Sequence, residues 1–372
     1  MKLFMQERWK PIAAIVASFV VLVGVARCGS GMSVYDPESA SMSGSAASTA
    51  TASPTATASP TATAVSSSSP GATTSAPAAT PGSAETPAQA STLVSGLVTQ
   101  YSGAVLAPGA DGAAAREAVL SGRALDAAKA RVALAPAMTA EQKADLALKP
   151  ETIAILAISQ GQAYPRSIVA KVQSAQTNSP VLLLVQAADA AVGYRIVSQA
   201  TVLPGAPTVQ FPPVAAGSLP GADGVGLSMT ASDLAASYAA SLAFPRPAAD
   251  ARLADDSFSA ELLKNARAQA ASLSRSGSLK QVHTVVATPA ALRLASGRGA
   301  LVFGILDRAD TLTETTTNAL TPSREFTILS GKTLIDKKAV LTSAEFLVWY
   351  VPESGKVTLL AAADQLVGAS GS

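Results

Sequence analysis

Apolar residues in the C-terminal three quarters of the chain repeat first at helical spacing and then in short strand-like runs, and this order occurs twice. Leu93, Leu97, Tyr101 and Val105 recur every three to four residues, which predicts an amphipathic helix. Gly-Ala-Asp-Gly at 109–112 interrupts the pattern, and a second helical stretch follows over Ala113–Leu134 with Leu120, Leu125 and Val132. Thr139 and Gln142 have capping-box spacing, opening a short helix that Pro150 is expected to end. Strands are then predicted at Ile153–Ile158, Ile168–Gln173, Val181–Gln186 and Tyr194–Leu203. The last alternates, with Tyr194, Ile196, Ala200 and Val202 on one side.

Pro204–Gly226 is rich in Pro and Gly with Asp223 as its single charge, and reads as an interdomain linker. Beyond it the order repeats. Thr230 with Asp233 caps a helix whose stripe is Leu234, Tyr238 and Leu242, and Phe258, Leu262, Leu263, Ala266 and Leu273 mark another. Strands are predicted at Val282–Ala287, Ala300–Asp307, Phe326–Leu329, Ala339–Thr342, Phe346–Val351 and Lys356–Ala361. Helices followed by an antiparallel meander, twice over, predict an α+β class with two tandem domains, 93–218 and 219–372. A tandem duplication fits this order.

The N-terminal quarter is different. Lys2, Arg8 and Lys10 precede an uncharged run, Pro11–Ala26, of 16 residues. As a helix it spans about 24 Å, short of the roughly 30 Å hydrocarbon core unless Trp9 and Arg27 sit in the two interfaces. The basic flank places the N-terminus in the cytoplasm and the rest outside. Residues 1–28 are therefore expected to be a retained signal anchor. Two alternatives stay open: cleavage after Gly24-Val25-Ala26, and lipidation of Cys28, against which Arg27 is unfavourable. From Ser39 to Thr92 the chain is almost wholly Ala, Ser, Thr, Pro and Gly, with Glu85 its only charge. Such composition cannot offset the entropy of ordering, so 29–92 reads as a disordered stalk. Its Pro content favours extended segments.

Composition narrows the function classes. Charge nearly cancels, 27 Lys+Arg against 25 Asp+Glu, with charged residues 14% of the 372. That argues against a nucleic-acid binder. The single cysteine, Cys28, excludes an intramolecular disulfide framework, and the single histidine, His283, argues against His-rich metal sites. No cofactor is expected.

Several segments carry a resemblance: Arg116–Leu134 with Ser-Gly-Arg-Ala at 121–124, Tyr164-Pro165-Arg166, Val181–Leu184, Gly299–Leu306 and Trp349-Tyr350-Val351-Pro352. They resemble an actinobacterial family of exported or membrane-anchored proteins described as a domain of unknown function. The arrangement also looks like paired cone-shaped domains of the nuclear transport factor 2-like (SnoaL/ketosteroid-isomerase) type. The resemblance covers roughly 93–370 and implies a fold and a location, with no catalytic residues.

Candidate chemistry is sparse. His283 lies on a predicted strand as a structural or surface residue, with no triad partner in view. Asp307-Arg308-x-Asp310 reads as charges at a solvated strand end. Asp307 also extends the Phe303–Asp307 alternation, so that Phe303, Asp307, Phe346 and Tyr350 are the candidate pocket residues, with core packing as the competing reading. Trp349 belongs on the face opposite Phe346 and Tyr350. The function expected is a non-enzymatic scaffold or binding protein of the cell envelope, partnered by the membrane and an envelope protein or polymer. The alternative is a small-ligand receptor or SnoaL-like enzyme using a cone pocket.

Overall fold

The computed structural model describes residues 83–273, 276–286, 290–315 and 322–372. The expected anchor, Cys28 and most of the expected stalk lie outside the described residues. Four helices come first: α1 (Pro87–Ala104), α2 (Gly109–Val119), α3 (Gly122–Leu134) and α4 (Ala140–Ala144). Strands β1 (Leu148–Ile158), β2 (Arg166–Ser174), β3 (Pro180–Ala187) and β4 (Tyr194–Val202) follow. The second half has α5 (Ala231–Ser241), α6 (Ser257–Leu273), β5 (Gly277–Val285), β6 (Ala290–Arg293), β7 (Ala300–Glu314), α7 (Arg324–Ser330), β8 (Lys338–Val351) and β9 (Thr358–Gly371).

The chain is α+β, as expected, but the expected domain split at 218/219 does not separate two bodies. All nine strands form one antiparallel sheet in the order β1-β2-β3-β4-β9-β8-β7-β5, with β6 beside β7. Each half contributes a meander, and the two meanders meet through their last strands, Thr201 opposite Ala362 and Val202 opposite Ala361. Residues 83–372 fall in one compact unit. One core cluster takes Ile168, Leu183 and Ile196 from the first half and Leu301, Phe303, Phe346 and Val348 from the second.

Two further ties explain the fusion. Arg131 of α3 is buried, donating from Nε to Gln365 of β9 (2.9 Å) and from Nη1 to Tyr101 of α1 (3.1 Å). Arg123 of the same helix pairs with Asp126 and with Asp307 of β7. The expected linker is the other tie. Its backbone bonds Ile158 and Gln160 through Ser218, and also Arg293 through Leu219, Ala291 through Gly221 and Ala295 through Gln210. Val209, Phe211 and Val214 pack on the shared core. It is a strap between the halves.

The stalk boundary also moves. Thr86 caps α1, accepting from Gln89 N (3.3 Å), while Gln89 Oε1 accepts from Thr86 N (2.9 Å). Pro87 occupies the first turn, where its missing N–H costs nothing. Residues 87–92 are thus helical despite their composition, and Ala90 is fully buried. Just before the cap, Ala84 N donates to Ser159 O (2.8 Å). Glu85, the tract's only charge, pairs with Arg166 (3.5 Å) and accepts from Tyr194 OH (3.2 Å). Gly217, at φ 74°, lets the two segments cross: a Cβ there would lie 2.9 Å from Ser83 Cα.

Other departures are local. Leu120 and Ser121 split the second helical stretch into α2 and α3, and α2 begins at Gly109 within the expected break. Pro150 lies inside β1. Phe326–Leu329 is helical in α7, because Ser323 Oγ caps it by accepting from Phe326 N. The two strands expected at 339–351 are one, β8. Val197 is an extra residue in β4, where Ser198 pairs with Leu184 and Ile196 with Val185. The bulge sends Ile196 and Ala200 to opposite faces.

Because the sheet and core are shared, β2 and β3 should open together with β7 and β8. Native-state hydrogen exchange is expected to give their amides one common opening free energy, and a separate, lower value for either meander would show the halves to be independent.

Candidate functional site

The sheet face beneath α5 and α6 carries a group of charged residues that the strand register brings together. His283 of β5 lies opposite Arg308 of β7, and Gln281 opposite Asp310. Arg308 lies opposite Ser343 of β8, and Glu345 of β8 opposite Asp364 of β9. Paired antiparallel residues share a face, so the whole group points to one side. Along the strands it is bounded by two apolar clusters. Leu306, Leu347 and Trp349 pack with Leu234 and Tyr238 of α5 and Leu262 of α6. Leu312 and Leu341 pack with Ala266 and Leu273 of α6 and Phe326 of α7.

Arg308 is the centre. Its Nε donates to Asp310 Oδ2 (3.0 Å), Nη1 to Glu345 Oε1 (3.1 Å) and Nη2 to Ser343 Oγ (3.2 Å). Nη1 also lies 2.8 Å from Asp364 Oδ2. The second oxygen of Glu345 is 2.9 Å from His283 Nδ1. The side chains of His283 and Glu345 are 0% exposed, those of Arg308 and Asp310 2%, and that of Asp364 5%. A guanidinium presents several donors in a rigid fork, which suits it to bridge carboxylates on three strands.

The electrostatics follow from burial and from this partner set. Burial alone would lower the affinity of Arg308 for its proton, but Asp310, Asp364 and Glu345 outweigh it and hold the guanidinium firmly charged. Burial pushes Asp364 up to about 6, with Glu345 and Asp310 adding to it and Arg308 opposing. Burial also raises Asp310, against the pull of Arg308. Above the group, Tyr238 OH donates to Asp256 Oδ2 (3.0 Å), and its ring meets Trp349 edge-on at 5.3 Å. Burial, then Asp256, then Glu345 push the Tyr238 hydroxyl well up. Trp349 is seated against Gly304, where a Cβ would fall 2.5 Å from the indole.

The sequence reading of Asp307-Arg308-x-Asp310 as a solvated strand end is overturned. β7 runs on to Glu314, and Arg308 is buried with Asp310 beside it on the same strand and Glu345 and Asp364 facing it from β8 and β9. Asp307 points to the other face, as Phe303, Phe346 and Tyr350 do. That face is filled: Phe303 and Phe346 are buried in the shared core, and Asp307 pairs with Arg123. Tyr350 OH donates to Arg298 O (3.1 Å). Trp349 is on the opposite face from Phe346, as expected. Glu345 and Asp364 are missed by the sequence reading, since each is the single charge in a largely apolar run. A period-two reading of 341–349 places Glu345 in line with Leu347 and Trp349, and was the one available clue.

Chemically, the group sets a histidine and three carboxylates around a fixed cation. Among the described residues no three His, Cys, Asp or Glu side chains converge as metal ligands. No family model, no curated protein and no solved structure matches this chain.

Removing Glu345 leaves Arg308 paired with Asp310 and Asp364 but takes the partner of His283 Nδ1 and one acceptor of Arg308 Nη1. Glu345→Ala is expected to cost about 1–3 kcal/mol of stability in urea denaturation. His283→Gln, which removes one hydrogen bond, should cost about 1–3 kcal/mol.

Proposed function

We propose that this chain is a membrane-tethered, extracytoplasmic protein of the cell envelope that works by binding or scaffolding and not by catalysis. The observation that carries this reading is the enclosure of its polar centre. The titratable side chains of the group are at most 5% exposed, and each lies within ion-pair distance of another member of the group. A substrate would have to displace α5 and α6 to reach them. The basic flank of Pro11–Ala26 and the Ala/Ser/Thr/Pro tract that follows support tethering at a distance from a membrane. Among the described residues no helix is long and apolar enough to cross one.

A second reading draws on the same residues. In a SnoaL-like cone, a ligand lies between sheet and helices, where Tyr238–Asp256 and His283–Glu345 stand here. That reading requires the helical layer to open.

The two readings separate in membranes of the native host. Crosslinking of the full chain followed by affinity purification is expected to recover the same envelope partners from wild type and from His283→Gln at matched protein levels. The N-terminal peptide containing Trp9 should remain in the membrane-extracted chain. Loss of function in a stable His283→Gln with its partners retained would favour the ligand site.

A further inference from the structure

The buried group does not balance its own charge. Arg308 supplies one fixed positive charge, while Asp310, Glu345 and Asp364 supply three carboxylates. Taking a net charge out of water costs several kcal/mol per ion even after relaxation. A neutral site therefore needs two protons, and Asp310 and Asp364 are the carboxyls that burial raises. Polar atoms with room for such protons are present. His283 Nε2, Asp310 Oδ1 and Asp364 Oδ1 are buried and have no hydrogen-bond partner.

Among the described residues no further positive charge reaches the group to supply the balance. On α5 the inward titratable group is Tyr238, and ahead of α6 it is Asp256, both acids and bonded to each other. On α6 the inward polar residue is Gln269, whereas Glu261 pairs with Lys264 on the outer side and Arg267 is exposed. From α7 the buried residue is Phe326. From β5 the group receives His283 and Gln281, from β7 Arg308 and Asp310, from β8 Glu345 and from β9 Asp364.

The place of the group makes its charge consequential. β5 ends the sheet path, and its named strand partner is β7. His283 carries β5 past that neighbour to β8, through Glu345. The helices α5 and α6 pack on β5 and on the face that holds the group.

We infer that this group is a proton-operated latch, clamping β5, α5 and α6 onto the sheet when it holds two protons and slackening them when one leaves as the pH rises toward neutral. Asp364 carries the proton that leaves nearest neutral pH, since its folded-state value is about 6 against an ordinary 3.8. The direction follows from linkage. A carboxyl with a raised value binds its proton more tightly folded than unfolded, so stability is greatest below the ordinary value. It is lost as the pH climbs from 3.8 to about 6 and stays lost above. Buried carboxylates held by partners usually do the reverse. The latch thus tightens in mild acid.

The test compares urea unfolding of the full chain with that of Asp364→Asn, whose amide is a permanent neutral stand-in for the protonated acid, between pH 4 and 7.5. The wild-type unfolding constant divided by that of the variant should rise roughly 100-fold across this window, from a shift of about two pH units. A ratio that stays flat overturns the latch. Should Asp364→Asn not fold, hydrogen exchange on wild type decides. After correction for intrinsic rates, protection of α5 and α6 amides should fall between pH 5 and 7.5, and by at least as much as the global loss read on β2. Equal protection at both pH values would contradict the proposal.

Discussion

A guanidinium cannot be taken out of water unless negative charge is built around it, and much of the second half of this chain answers that demand at Arg308. The three carboxylates that surround it come from β7, β8 and β9. Their alignment fixes the register of three strands at once, because a one-residue slip would send each to the opposite face. Glu345 then passes the tie on to His283 and the edge strand β5. The cluster is not an economical source of stability, since desolvation offsets most of the attraction. What it supplies is a strong penalty against any pairing in which one of the charges is left alone.

The two halves are held by different means. The direct strand contact between them is two residue pairs long, Thr201–Ala362 and Val202–Ala361. So short a ladder would not join two meanders by itself. Arg131 and Arg123 on α3 reach from the first half to β9 and β7, and the Pro/Gly-rich strap spans both halves with backbone bonds. The end-to-end pairing of two last strands also removes an exposed edge from each meander.

Local chemistry was legible in the sequence and long-range pairing was not. The capping box at Thr139 and the cap at Thr230 are in place because they depend on residues three apart. The opposite faces of Phe346 and Trp349 follow from strand alternation alone. The composition of 87–92 pointed to disorder, yet the Thr86–Gln89 cap and burial of Ala90 against the core outweigh it. Pro204–Gly226 has the residues of a linker because a strap that bends between strands needs the same turn chemistry. Arg308, Glu345 and Asp364 are far apart in sequence, and each reads as a surface charge until β7, β8 and β9 are aligned. The site lay in the register, which a single sequence does not display.

An enclosed polar centre and a non-catalytic role stand or fall together here. The chain's sole histidine is in the middle of that centre, so one reagent reports on it without ambiguity. Carbethoxylation of the native full chain, followed by peptide mass spectrometry, reads how readily solvent-borne reagent reaches His283. The account predicts that His283 stays unmodified while the protein is folded and reacts at the rate of a free imidazole once it is unfolded. Rapid modification of the folded chain would mean that the site is open to small molecules, and would contradict the enclosure on which the scaffold reading rests.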